Sequence, residues 1–75
     1  MAPIRPGRYQ HFKGNLYEVL GVGRNPETKE EVVIYRALYE SKEFGKNAFW
    51  VRPKKDFQEV VEHQGKLIPR FKFVN

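Results

Sequence analysis

Val32-Val33-Ile34-Tyr35-Arg36-Ala37-Leu38-Tyr39 is the stretch around which the chain is organised. β-branched and aromatic residues dominate it, as in strands packed on both faces. One arginine sits inside it. A guanidinium there must be paired or must reach water, because burying it alone is prohibitively costly. The run predicts a central strand and makes Arg36 a residue to be explained.

Outward from that strand, Leu16 to Gly23 reads as a second strand, with Gly21 and Gly23 permitting a bend or bulge. Arg24 to Glu30 is a polar hairpin loop in which Asn25-Pro26 suits the first two positions of a type I turn. Gly7 to Phe12 is a first strand, ended by the turn Lys13-Gly14-Asn15. On the other side, Glu40 to Asn47 reads as a mobile surface loop. Ala48 to Arg52 is a fourth strand stopped by Pro53, which suits the start of one helical turn over Lys54-Lys55-Asp56-Phe57. Phe57 would fold back onto the core. A further strand follows Gln58, His63-Gln64-Gly65-Lys66 is a turn, and Ile68 to Val74 closes the chain. In that last run Phe71 and Phe73 alternate with Arg70 and Lys72.

No segment sustains a helical period, and nothing repeats. Short strands separated by turns predict an all-β chain, folded as a small antiparallel SH3-like barrel with at most the one helical turn near Pro53-Phe57. An OB-like barrel fits less well, because it wants a longer helix. Met1 to Pro6, with two prolines and no pattern, is expected to be a flexible arm, leaving residues 7–75 as one domain.

Seventy-five residues without cysteine can hold neither disulfides nor thiolate metal sites, which favours a reducing, cytoplasmic setting. No apolar run approaches the ~20 residues that span a bilayer, and the N-terminus lacks the apolar core of a signal peptide. The net charge of +5 admits a polyanionic partner without requiring one. Aromatics at 15% are enough to fill a small core and still leave rings for a binding surface.

If strands two and three pair in an unbroken hairpin, Glu18 faces Arg36, Leu20 faces Ile34 and Val22 faces Val32. The opposite face then carries Tyr17, Val19, Val33, Tyr35, Ala37 and Tyr39. A Glu18–Arg36 pair is either structural or an anion fork held in place by a carboxylate. Trp50 and Arg52 alternate on one side of their strand, and both are residue types common at interface hot spots. Tyr17, Arg36, Trp50 and Arg52, with His11 nearby, are the candidate ligand-binding residues.

Catalytic and metal chemistry find little footing. His11 and His63 are the only histidines and fall in separate segments, so no metal site is expected. Ser41 is the only serine and has no neighbouring base. Gly21-Val22-Gly23 is too short for a phosphate loop, and no cofactor is expected. The expectation is a non-enzymatic binding module, monomeric or weakly homodimeric, with a protein or peptide partner favoured. The first alternative is single-stranded nucleic acid on Arg8, Lys13, Arg52, Lys54, Lys55, Arg70 and Lys72, with Tyr9, Phe12, Tyr17, Tyr35 and Trp50 as stacking rings. The second is an anionic small molecule held by Arg36 and Arg52.

The chain also resembles a known family. Gly7-Arg8-Tyr9, His11, Lys13-Gly14, Tyr17 and Val19 are similar to its opening motif. Tyr35-Arg36-Ala37-Leu38-Tyr39 and Trp50-Val51-Arg52-Pro53 with Phe57 are similar to its middle motifs, and Pro69-Arg70-Phe71 to its closing one. The family is the bacterial domain of unknown function 1653, and the resemblance spans roughly residues 7 to 74. It implies a small β-rich intracellular domain and supplies no activity.

Overall fold

The computed structural model describes residues 4–75. Its strands are β1 (Gly7–His11), β2 (Leu16–Arg24), β3 (Glu31–Ala37), β4 (Glu40–Ser41), β5 (Gly45–Lys46), β6 (Phe49–Pro53), β7 (Val60–His63), β8 (Lys66–Pro69) and β9 (Phe71–Phe73). One helical turn, α1 (Lys54–Phe57), lies between β6 and β7. The fold is mainly β, as the sequence indicates. No described helix is long and apolar enough to cross a membrane.

Five strands form the main antiparallel sheet in the order β6-β3-β2-β1-β9, and β4–β5 and β7–β8 are separate hairpins. The sheets are not closed into the expected barrel. β6 and β9 remain edges, and among the described residues no ladder joins them. A side chain does the filling instead. Phe57 swings from α1 onto the sheet and stacks on Phe71, with centroids 4.2 Å apart and planes 6° from parallel. Tyr9 and Tyr35 meet Phe57 at 5.3 and 5.6 Å. With Val19 and Val33 these rings make the core.

The core lies on the aromatic face of the β2–β3 hairpin. Val19, Val33, Tyr35 and Ala37 are buried, whereas Leu20 and Val22 are exposed. Large rings bury more area per residue than aliphatics, which favours this choice in a small domain. Glu18 pairs with Arg36 in register, and Val19 with Tyr35. Beyond them the ladder slips at Leu20: Gly21 faces Ile34, Val22 faces Val33 and Gly23 faces Val32. The even register therefore holds at the core end and fails towards the loop, where the bulge lies beside Gly21. In that loop the Asn25 side-chain oxygen accepts from the Glu27 and Thr28 amides, as the turn reading anticipates.

Three further expectations need correction. The central strand stops at Ala37 rather than Tyr39, and Glu40 to Asn47 contains the β4–β5 hairpin rather than a plain loop. The Ser41 hydroxyl accepts the Phe44 amide and tightens that turn. The closing run is two strands, broken at Arg70. The Arg70 amide donates to Glu59 and its carbonyl accepts from Phe12, so this residue bridges the β7 lead-in and the end of β1. Of the expected N-terminal arm, residues 1–3 lie outside the described residues. Ile4 packs against the core, the Arg5 carbonyl accepts the Tyr9 hydroxyl at 2.9 Å, and the Arg5 guanidinium sits 3.8 Å from the Phe73 ring centroid.

Candidate functional site

Three of the candidate residues converge. Tyr17, Trp50 and Arg52, with Tyr35 and Tyr39, line an open cleft of about 270 Å³ on the core face of β2, β3 and β6. Tyr35 pairs with Trp50 across the β3–β6 ladder, and Val33 with Arg52. Directly paired residues share a face, so Trp50 and Arg52 flank the hydroxyl end of Tyr35. Tyr39 follows the last residues of β3, and its hydroxyl meets that of Tyr17 at 2.8 Å. The Tyr17 phenol is pushed well above the usual tyrosine range by burial and by this hydrogen bond. The Tyr17 hydroxyl is therefore protonated at neutral pH.

Arg52 is the charged group of the cleft. Its Nε donates to the Tyr35 hydroxyl at 3.3 Å, and its guanidinium carbon lies 5.6 Å from the Phe71 ring centroid. Ion pairs among the described residues hold Arg36, Lys54, Lys55 and Arg70, and Arg52 has none. A partly buried guanidinium without a carboxylate keeps its other N–H groups for a ligand. Trp50 is 36% exposed and meets the Phe44 ring edge-on at 5.0 Å, so the β4–β5 hairpin walls one side.

The other two candidates lie elsewhere. Arg36 is on the opposite face, where its guanidinium reaches Glu18 Oε1 through Nε at 2.7 Å and through Nη2 at 2.6 Å. It takes no part in the cleft, and the pair lies partly exposed on the outer face. His11 sits behind Tyr17, its ring edge-on to those of Phe71 and Tyr17 at 4.9 and 6.4 Å. Burial lowers its pKa, and the nearby positive charges of Arg52, Arg70 and Lys13 add to the effect. His11 faces a second, larger groove of about 450 Å³ with Gln10, Phe12, Ile68, Pro69 and Lys72. Tyr35 and Tyr39 complete the cleft beyond the candidate ligand residues, and period-two alternation, which puts both on the Tyr17 face, is the sequence signal for them.

Of the proposed stacking rings, Tyr9 and Tyr35 are buried in the core. Arg70 is bound to Glu59 at 2.6 Å, and Lys54 and Lys55 lie 3.7 Å from Glu31 and Glu30. No cluster of three metal-ligating side chains occurs among the described residues.

Comparison with known proteins agrees with this fold. The model of the family DUF1653, described as a protein of unknown function, matches residues 7–73. A crystal structure of a protein belonging to DUF1653 from Bordetella bronchiseptica superposes with a TM-score of 0.85 at 37% identity, covering 95% of this chain and 87% of that one. A search of curated proteins finds no match.

Proposed function

We propose that this chain, which belongs to the DUF1653 family, is a non-catalytic binding module that seats an extended segment of a partner protein in the Tyr17–Tyr35–Tyr39–Trp50–Arg52 cleft. The observation that carries the reading is Arg52, a half-buried guanidinium with no ion-pair partner among the described residues, fixed beside an accessible tryptophan. Holding such a group without a counter-charge opposes folding. It makes sense where a partner brings the charge. Tryptophan and arginine side by side are also the usual anchors of protein interfaces.

The architecture supports the same reading. The first strand lies between the second and the last, a meander runs through β2, β3 and β6, and a helical turn leads towards the last strand. This strand order resembles that of SH3-like barrels, which offer aromatic grooves to extended peptides, although among the described residues β6 and β9 are not paired with each other. The nucleic-acid alternative loses some support, because two of its five rings are core and three of its seven basic residues are paired with carboxylates.

A displayed library of random linear peptides, selected on the full chain and counter-screened on Trp50→Ala, tests the reading. Enriched peptides should lose about tenfold or more in affinity on the variant. Enrichment that ignores Trp50→Ala, or no enrichment at all, refutes it. Quenching of Trp50 fluorescence by single-stranded oligonucleotides that fades steeply with salt would favour nucleic acid instead.

A further inference from the structure

The free edge of β6 determines how such a segment would dock and what it would carry. The Ala37 amide donates to the Ala48 carbonyl at 2.8 Å, and the paired residues run from Arg36–Phe49 to Val32–Pro53. Antiparallel ladders alternate hydrogen-bonded and non-hydrogen-bonded pairs. Trp50 and Arg52 therefore direct their backbone groups to Tyr35 and Val33. Phe49 and Val51 point theirs away from β3, as Pro53 does its carbonyl. Pro53 has no N–H to leave stranded there.

This edge is poorly defended. Edge strands are ordinarily shortened, covered or charged to prevent pairing with another chain. β6 is five residues long, and its only charge is Arg52, on the cleft face. On the other face Phe49 and Val51 are 68% and 67% exposed.

We propose that β6 accepts an extended antiparallel strand from an acidic partner, with a carboxylate residue opposite Arg52 and an apolar residue opposite Trp50. The proposal rests on the cleft being the binding site for an extended segment. The residue between those two would exchange both backbone hydrogen bonds with Val51. Its neighbours would face Arg52 and Trp50 in non-hydrogen-bonded pairs, where Cα atoms approach to about 4.5 Å and side chains touch. Read from its N-terminus, the partner strand runs acidic, any residue of strand propensity, then apolar. Charge complementarity favours this occupant over a second copy of the chain. Each copy carries +5. The sequence Phe49-Trp50-Val51-Arg52-Pro53 has no carboxylate, so β6 paired with itself would leave Arg52 without a counter-charge.

The test uses the full chain and capped synthetic heptapeptides with glutamate, valine and leucine at the centre and threonines outside. Controls replace the glutamate with lysine or the valine with N-methylvaline, which lacks the amide hydrogen. Affinity should fall at least tenfold with either change. Amide exchange at Phe49 and Val51, rapid in the free protein, should slow at least tenfold with the parent peptide. Arg52→Glu should reverse the preference between glutamate and lysine peptides. Equal binding of these two peptides overturns the charge assignment, and full binding of the N-methyl peptide overturns strand addition. Slow exchange at both amides in a dimer without peptide overturns the acidic partner in favour of a second copy. Failure of these peptides while library peptides still require Trp50 would refute this register and leave the cleft standing as a binding site.

Discussion

If Arg52 is held for a partner, its removal should cost the fold little, and Arg70 provides the comparison. Arg52 contributes one long hydrogen bond to Tyr35 at 3.3 Å and a distant contact with the Phe71 ring at 5.6 Å. A charged-group hydrogen bond is worth about 1.5–3 kcal/mol at good geometry and less at this length, and the ring contact about 0.5–1 kcal/mol. The cost of holding a half-buried charge without a carboxylate works against them. Arg52→Gln also keeps an amide donor for the Tyr35 hydroxyl. The net loss should be about 1 kcal/mol or less. Arg70 is different: it reaches Glu59 at 2.6 Å and the Asp56 carbonyl at 3.1 Å, bracing α1 against β9. Hydrogen bonds involving charged groups contribute about 1.5–3 kcal/mol, here towards the lower end because Glu59 is half exposed. In a domain of this size 1 kcal/mol moves Tm by about 4–8 °C. Thermal unfolding followed by circular dichroism should therefore shift less for Arg52→Gln than for Arg70→Gln. A larger shift for Arg52→Gln would show that Arg52 is a structural strut and would remove the main support for the cleft as a site.

Phe57→Ala should cost about 3–5 kcal/mol, as for other buried phenylalanines. The whole domain is worth roughly 4–11 kcal/mol at the usual stability per residue, so urea titration should find the variant partly or wholly unfolded. Arg36→Gln should leave peptide affinity within about twofold of wild type, because Arg36 lies on the face opposite the cleft; a tenfold loss by calorimetry would contradict that placement. His11 has a lowered pKa in the folded state, so the unfolded chain binds the extra proton as pH falls through about 6.5. Its contribution is complete above that pH and fades below it. Tm should fall between pH 7 and pH 5, with a shallower slope in His11→Gln; identical slopes would refute the assignment. Tyr17 is raised, so the sign reverses. Stability should fall as pH rises beyond about 10, and Tyr17→Phe should flatten that limb.

Much of this architecture is visible in the chain because its determinants are local. Asn25-Pro26, Gly65 and Pro53 set turns or stops through their own backbone chemistry, and the alternation around Val33, Tyr35 and Ala37 marks one continuous face. What stays hidden depends on distant partners. Nothing near Leu20 requires the ladder to slip there rather than in the loop; Gly21 and Gly23 only permit it. The break at Arg70 arises from hydrogen bonds to Glu59 and Phe12, segments that become neighbours only once the sheet exists. The alternation Phe71, Phe73 reads equally well with or without that break. Arg36 illustrates the limit for function. Its pairing with Glu18 is readable from the hairpin, but which hairpin face is inside depends on Phe57 and Phe71 supplying the rest of an aromatic core.

That same dependence explains why the cleft lies where it does. The Tyr35 ring belongs to the core, packed on Phe57 and Phe71, while its hydroxyl holds Arg52 at the sheet margin. Tyr17 likewise places its ring edge-on to Tyr35 and Phe71 and gives its hydroxyl to Tyr39. A tyrosine has an apolar body and a polar tip, so a core built from tyrosines carries polar groups to its boundary wherever the sheet ends. Here the sheet ends at β6, whose outer backbone groups have no ladder partner among the described residues. The aromatic residues that fill a small core thus also set three hydroxyls and a guanidinium beside an open strand edge. On the proposed reading, stability and recognition draw on the same side chains, so a change of ring at Tyr17 or Tyr35 would disturb both, whereas loss of a hydroxyl alone would separate them.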